Sequence, residues 1–267
     1  MKRMILTGTL ALATGLLPAI AQQPPAAQQK GGQQGGQQLI PGTKSAGESQ
    51  AVMALAQAAQ AGNPDAIIKA ADELITKYAD TTFKETALTQ EAQAYDAKRD
   101  PVKAQIYAEQ ALAANPKSYQ AELLLGQTIV KNTRENDLDK EEKLTKADKY
   151  LHDAIANVQA ATKPNPQLTD AQWEDGKKFI MAQAHGSLGL AANTRKKYDV
   201  AATELQTAYD NDPQPAYLVQ KASALHAAGK EQEAIAECDK VLADPQLHPQ
   251  IKQVATQIKD AATKAKK

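Results

Sequence analysis

Apolar and polar residues follow a helical period over most of this chain from residue 49 onward. Within each periodic segment, small and medium apolar side chains recur three or four positions apart, as one face of an amphipathic helix requires. Residues that favour strands do not gather in alternating runs. The pattern predicts an all-α protein with helices near residues 49–61, 64–78, 83–98, 101–114, 118–132, 143–161, 170–194, 198–211, 215–228, 231–243 and 249–264.

Capping residues stand where these helices begin and end. Asn63 and Asp100 each precede a proline, which places a capping side chain before the first turn. Thr169 and Gln172 have the spacing of a capping box. Residues that break helices mark the other ends: Gly62 and Gly229 within pairs, and Pro116, Pro164, Pro213 and Pro245 after second helices. These signals group the helices into five consecutive pairs and one C-terminal helix.

The apolar stripe of each pair is narrow and consists mainly of alanine, leucine, isoleucine and tyrosine. One pair cannot bury such a stripe, whereas neighbouring pairs stacked side by side bury it continuously. The last helix carries Ile251, Val254 and Ile258 on one face, and we expect it to cap the end of the stack. A membrane-surface helix is the alternative, but its apolar face is small and lacks aromatic residues.

The order of small and large residues in these pairs resembles the tetratricopeptide repeat (TPR). Four sets carry the resemblance: Leu88, Ala92, Tyr95, Ala104, Ala108, Ala111 and Pro116; Leu125, Gly126, Ile129, Ala147, Leu151 and Ala154; Leu188, Gly189, Ala201, Leu205, Ala208 and Pro213; and Leu218, Ala222, Leu225, Ala234, Cys238 and Val241. A weaker first unit contains Met53, Ala54, Ala66 and Ala70. The resemblance covers about residues 49–245. It implies a right-handed superhelical solenoid of about five antiparallel helix pairs plus the C-terminal capping helix.

The resemblance also implies a concave groove lined by the first helix of each pair. The partner-groove candidates are Thr89, Gln93, Asp96, Gln127, Lys131, Gln183, Asn193, Ser223 and His226. Of these, Lys131 and Asn193 alone are of the types with which family members hold a peptide's terminal carboxylate. The remaining amides and hydroxyls favour an extended peptide or a helix, held by hydrogen bonds and packing. A merely solvated helix face is the alternative for each position.

The spacing between pairs is unequal because two segments are inserted. One is charged and spans residues 131–143, and the other contains Lys163-Pro-Asn-Pro. Insertions in repeat proteins usually lie in loops on one face, which is sometimes the binding face. A solvated spacer is the other interpretation.

The N-terminus predicts export. Lys2 and Arg3 precede an apolar stretch from Ile5 to Leu17, and Ala19 and Ala21 are the small residues that signal peptidase reads. We expect a signal peptide at 1–21, a disordered Gln/Gly/Pro-rich linker at 22–47 and a helical repeat domain at 48–267. An uncleaved anchor is the alternative, although the apolar stretch is short for a membrane span. The expected location is the periplasm or the medium.

Composition narrows the chemistry. Equal numbers of basic and acidic residues, 31 of each, argue against a nucleic-acid partner. The four histidines (152, 185, 226 and 248) lie on separate segments, so we expect no metal, no cofactor and no catalytic site. Cys238 lies on an apolar stripe and is interpreted as a core residue rather than a reactive thiol. Trp173 is interpreted as a buried anchor, with a binding hot spot as the alternative.

The sequence therefore predicts an exported scaffold that binds a protein or peptide in its concave groove. It is not expected to catalyse a reaction, or to remain in the membrane after the signal is cleaved. A self-associating structural component of an envelope complex is the alternative.

Overall fold

The computed structural model describes residues 39–265, and within that range the chain forms eleven α-helices and no strand. They are α1 (Ala46–Gln60), α2 (Pro64–Lys77), α3 (Lys84–Ala97), α4 (Pro101–Ala114), α5 (Tyr119–Asn132), α6 (Lys140–Ala160), α7 (Asp170–Thr194), α8 (Tyr198–Asn211), α9 (Pro215–Ala227), α10 (Glu231–Leu242) and α11 (Pro249–Ala265). Each predicted helix is present, with ends within three residues of the expected ones. The all-α prediction is confirmed.

The helices pack in chain order as five pairs followed by α11. Each helix contacts the next one, and the first helices of successive pairs also meet: α3 contacts α5, and α5 contacts α7. A Cβ placed on Gly186 of α7 would lie 2.7 Å from Cε1 of Tyr217, so α7 also approaches α9 closely. We call α3, α5, α7 and α9 the first-helix row. This arrangement confirms the predicted solenoid of helix pairs.

Burial is distributed along the array instead of converging on one centre. Leu55 and Leu74 belong to a cluster built from α1, α2 and α3, whereas Leu144 and Leu151 belong to one built from α5, α6 and α7. Each cluster draws on neighbouring helices, and nearest-neighbour contacts are what stabilise a solenoid. Cys238 is fully buried and Trp173 is 6% exposed, so both interpretations as core residues are confirmed.

Four of the five pairs turn through a residue with positive φ in the part of the chain that the structure describes. These residues are Gly62 (63°), Arg99 (61°), Lys196 (62°) and Gly229 (75°). After Arg99, the backbone N–H of Asp100 donates to the Tyr95 carbonyl at 2.9 Å, which is the bond of a Schellman motif. Arg99 and Lys196 adopt this conformation at a cost of about 1 kcal/mol that glycine avoids. The repeat is therefore visible in the backbone even where the sequence lacks the glycine.

The charged insertion replaces this turn between α5 and α6. It contacts the turn of the next pair, where Lys196 pairs with Glu135 at 2.6 Å and Arg195 pairs with Glu141 at 3.0 Å. Arg195 also pairs with Asp148 at 3.0 Å, and its side chain is 9% exposed. The insertion therefore links two neighbouring pairs, although Leu138 at its tip is fully exposed.

Residues 39–47, which lie in the predicted linker, contact the helices. Ser45 caps α1 by accepting a hydrogen bond from the Glu48 backbone N–H. The backbone N–H of Ile40 donates to the Ser49 hydroxyl at 3.1 Å, and the Ile40 side chain packs against the α1–α3 cluster. Residues 39–47 thus pack with the helical domain, because the Ile40 side chain is partly buried against this cluster. The predicted signal peptide at 1–21 and residues 22–38 of the predicted linker lie outside the described residues.

The C-terminal helix covers the last pair. Ile251, Val254 and Ile258 of α11 pack against a buried cluster that includes Leu218 and Val241. Ala255 and Ala262 of the same helix are fully buried. Helix α11 therefore buries its apolar face within the protein, as the cap interpretation expects. None of the helices within residues 39–265 combines the length and the hydropathy that a membrane-spanning segment needs.

Candidate partner-binding surface

The predicted groove residues all lie on the first-helix row, but they differ in exposure. The exposed ones are Lys131, Asn193 and Ser223; the half-buried ones are Gln93, Asp96, Gln183 and His226; and the buried ones are Thr89 and Gln127. A partner can reach only the first two groups. The structure therefore reduces the predicted groove to part of its length.

Thr89 is removed from the groove by its neighbours. Its side chain is 1% exposed, and its hydroxyl donates to Oε1 of Glu85 at 3.2 Å. The same oxygen hydrogen-bonds the buried hydroxyl of Ser118, which caps α5. This network joins α3 to the start of α5 and leaves Thr89 no surface to offer. The prediction for this position is corrected, since packing between successive first helices covers it.

Gln127 is also used within the protein. Its Nε2 donates to Oε1 of Gln183 at 3.1 Å, which joins α5 to α7 across 56 positions of the chain. Gln127 is 8% exposed, and a buried amide needs such a partner. The prediction that Gln127 contacts a ligand is corrected, because its amide stabilises the contact between two helices. Gln183 keeps a half-buried side chain at the same junction.

Asp96 and Lys131 form an ion pair between α3 and α5. Nζ of Lys131 lies 3.0 Å from Oδ2 of Asp96, and the side chains are 47% and 13% exposed. A partly exposed pair of this kind contributes about 0–1 kcal/mol to stability. The pair neutralises the charge of Lys131, so Lys131 is not a free cation for a peptide carboxylate.

Of the seven accessible candidates, four lie on the neighbouring helices α7 and α9, whereas Gln93, Asp96 and Lys131 lie on α3 and α5. We call Gln183, Leu190, Asn193, Ser223 and His226 the α7–α9 face. Leu190 is 38% exposed and lies one turn before the exposed Asn193. Ser223 and His226 have the same spacing on α9.

The electrostatic character of the α7–α9 face is nearly neutral. Its one titratable side chain within the described residues is His226, whose Nδ1 lies 2.5 Å from Oε2 of Glu231. The other groups are two amides, one hydroxyl and one leucine. Such a surface can hydrogen-bond a peptide backbone and cover one apolar side chain, but it has no cation for a terminal carboxylate.

Buried charged groups along the array are features that the sequence reasoning missed. Glu122 is 4% exposed, and its two carboxylate oxygens both lie 2.9 Å from Nδ2 of Asn157. Burial raises the pKa of Glu122, and this hydrogen bond opposes the shift. Burial would likewise raise the pKa of Glu237, but hydrogen bonds from Lys221 and Lys240 outweigh it and lower the pKa. Glu91 is buried with no cation in a salt bridge to it among the described residues.

A signal for Glu91 exists in the sequence. Glu91 directly precedes Ala92, just as Leu125 precedes Gly126 and Leu188 precedes Gly189. Superposing the repeats in this register places a carboxyl where the pairs that begin with α5 and α7 have leucine.

The described residues offer little support for metal binding or for a reactive thiol. Within residues 39–265, no group of three histidine, cysteine or acidic side chains is arranged to hold a metal ion. Burial raises the pKa of the Cys238 thiol to about 11, which keeps it protonated at neutral pH.

Comparison with solved structures finds a similar protein. It is a thermophilic TPR protein of Thermus thermophilus, 17% identical, with a TM-score of 0.49 over 81% of this chain and 99% of that chain. No protein-family model and no curated protein matches this chain. The helix pairs described above define the fold independently of this similarity.

Proposed function

We propose that this chain is an exported, non-catalytic scaffold that binds another protein of the cell envelope. The observation that carries the proposal is the accessible α7–α9 face on an array whose other first-helix polar groups largely bond to each other. Asn193 and Ser223 remain exposed there, whereas Gln127 and Asp96 are already bonded to neighbouring helices. Stacked helix pairs form an extended surface that is suited to presenting such groups to a partner.

The proposed ligand is an uncharged stretch of peptide, either extended or helical. The Asn193 amide and the Ser223 hydroxyl can bond a peptide carbonyl or N–H, and the exposed Leu190 can cover an apolar side chain. A strongly charged peptide would lose solvation without gaining a partner on this face. We therefore place the binding site on α7 and α9.

A double variant, Asn193→Glu with Ser223→Glu, is expected to weaken partner capture strongly. Both side chains are exposed, so the fold should tolerate the change, while two carboxylates would meet a peptide that has no cations to receive them. Retention of the partner from an envelope extract should fall by at least about tenfold, the effect of about 1.4 kcal/mol. Quantitative affinity capture with the wild-type chain and the variant as baits measures this.

The matched control is Thr203→Glu with Gln232→Glu, which adds the same charge to exposed positions of α8 and α10. The control bait should retain the partner. Equal retention by all three baits would contradict the assignment of the α7–α9 face. Equal loss from the control and the groove variant would indicate an effect of charge alone.

Self-association is a second candidate function, and one feature favours it. Val102 and Ile106 lie one turn apart on α4, and are 67% and 47% exposed. Large apolar side chains adjacent on one helix face can mediate contact with another copy. If the captured protein is this chain itself and the α7–α9 variant still binds it, the assembly role replaces the scaffold role.

Export is proposed from the first 21 residues. Lys2, Arg3, the apolar stretch and Ala21 have the order of a cleavable signal. The mature protein is expected to begin at Gln22 and to be recovered from the periplasm or the medium. N-terminal sequencing of the recovered protein measures this. An intact N-terminus on membrane-bound protein would instead indicate an uncleaved anchor.

A further inference from the structure

Glu91 is a carboxyl group enclosed within the N-terminal part of the array. Its side chain on α3 is 0% exposed, and within residues 39–265 neither carboxylate oxygen makes a hydrogen bond of normal geometry. The Tyr107 hydroxyl of α4 is the hydrogen-bonding group that acts on it, and this hydroxyl is neutral. An unpaired polar group in such a place destabilises a fold, and an unpaired charge destabilises it further. The extent to which Glu91 destabilises the fold therefore depends on whether its carboxyl group carries a proton.

Other first helices have different residues at the position equivalent to Glu91, directly before the small residue. Leu125 and Leu188, which also precede the small residue of a first helix, are buried apolar side chains. Lys221 precedes Ala222 in α9, and its charge is paired with Glu237 at 2.8 Å. Glu91 is thus the position in this register that holds an ionisable group without a partner of opposite charge bonded to it.

The groups that face Glu91 come from each helix around it. The charge of Asp72 on α2 raises its pKa, while the Tyr107 hydroxyl, through a hydrogen bond, and the charge of Lys103 lower it from α4. Tyr95 of α3 stacks on Tyr107 with ring centroids 5.2 Å apart, and Lys103 lies 4.9 Å above the Tyr95 ring. From α5, Leu124 and Leu125 pack on the cluster that contains Tyr107. Burial dominates, and it raises the pKa of Glu91 from 4.5 to about 7.

We propose that Glu91 is a pH-responsive latch that controls the local stability of α2, α3 and α4. As a neutral acid it stays packed between α2 and α4. Once it ionises, an uncompensated charge lies between these helices, and they separate more often. Because each pair contacts only its neighbours, the loosening stays in the N-terminal part of the array.

The direction of the pH effect follows from the two states. In the unfolded chain Glu91 ionises near its ordinary value of 4.5, whereas in the folded chain it holds its proton up to about pH 7. Between these values the folded state binds more protons, so its stability falls as pH rises. The contribution of protonated Glu91 to the stability of the folded state is therefore complete below pH 4.5 and is lost by about pH 7.

Amide hydrogen exchange of the full-length chain at pH 5 and pH 8 tests the proposal. After correction for the intrinsic pH dependence of exchange, opening of α3 and α4 should be at least about tenfold more frequent at pH 8. Opening of α9 and α10 should change by much less. In Glu91→Gln the difference between the two pH values in α3 and α4 should disappear, since the amide cannot ionise.

Two further variants keep the result interpretable. Glu91→Leu reproduces the leucine of the equivalent positions, so it should fold even if the amide does not, and it should protect α3 and α4 equally at both pH values. Glu73→Gln removes an exposed carboxylate from α2 and should keep the wild-type pH response. The proposal is overturned if wild type and Glu91→Leu respond alike to pH, or if the wild-type response is uniform along the array.

Discussion

Replacing Gly126 with leucine is expected to push α5 and α6 apart and to lower the free energy of unfolding by about 3 kcal/mol, the upper end for overpacking. Even a Cβ at this position would lie 2.5 Å from Cγ of Leu151 and 3.3 Å from the Ala147 carbonyl oxygen. The backbone atom cannot move aside without moving α6. Alanine suffices to show the sign: at an open helix position it would add about 0.5–1 kcal/mol over glycine, whereas here the clash reverses the effect. Urea denaturation measures the free energy of unfolding.

A double-mutant cycle provides the control for Gly126. Leu151 is fully buried, so Leu151→Ala alone should cost about 2–5 kcal/mol. In that background Cγ and Cδ2 of Leu151 are gone and the Ala147 carbonyl oxygen at 3.3 Å is the close atom that remains. Adding Gly126→Ala should therefore destabilise the protein by much less than it does in the presence of Leu151. If Gly126→Ala has the same effect with and without Leu151, close contact with Leu151 is not the reason for glycine here. Gly189, whose added Cβ would lie 2.7 Å from Cγ of Leu205, should behave alike with leucine.

Removal of residues 249–267 is expected to unfold the C-terminal end of the array while the N-terminal pairs persist. The truncation exposes the apolar face that Ile251, Val254 and Ile258 cover, including Leu218 and Val241. If each of the three side chains stabilises by about 1–2 kcal/mol when partly buried, the last pair loses about 3–6 kcal/mol. Hydrogen exchange should show faster opening of α9 and α10, and little change in α1 to α4. The measurement is made at pH 5, where Glu91 is neutral.

A shorter truncation is the control for the cap. Removing residues 263–267 keeps the buried Ala255 and Ala262, and should leave protection of α9 and α10 close to that of the intact chain. Equal loss of protection in every helix after the longer truncation would mean that the array unfolds as one unit. In that case nearest-neighbour packing does not govern its stability.

The local elements could be predicted because their signals are local. Proline after Asn63 and Asp100 starts α2 and α4 where the structure has them, and each side chain caps its helix. The capping box at Thr169 and Gln172 likewise begins α7. The start of α1 was placed three residues too late, although Ser45 and Glu48 have the same spacing as Thr169 and Gln172 and Ser45 caps the helix. What no short window of sequence contains is the apolar contact of Ile40, because its partners include residues of α2 and α3.

The candidate site was predicted less well than the fold. Asn193 and Ser223 are exposed on the first-helix row as expected, but Thr89 and Gln127 are buried. Helical periodicity tells which residues share a face of one helix, but it does not give the distance to the next first helix. That distance decides whether a side chain meets a partner or a neighbouring helix. Glu91 was missed although its register with Leu125 and Leu188 indicates a buried position. What the sequence does not give is the set of groups from α2 and α4 that face it.

The amino-acid sequence alone indicates where the helices lie, how they group into pairs and that the last pair needs a cap. These features depend on helix capping and on narrow apolar stripes, which involve residues close together in the chain. Tertiary packing decides which polar side chains bond to a neighbouring helix and which remain exposed. Gln127 met Gln183 across 56 positions, and Asp96 met Lys131 across the row, so neither remains for a ligand. Whether a polar group is solvated or bonded within the protein depends on the side chains that pack around it. Those neighbours come together only when the helix pairs stack.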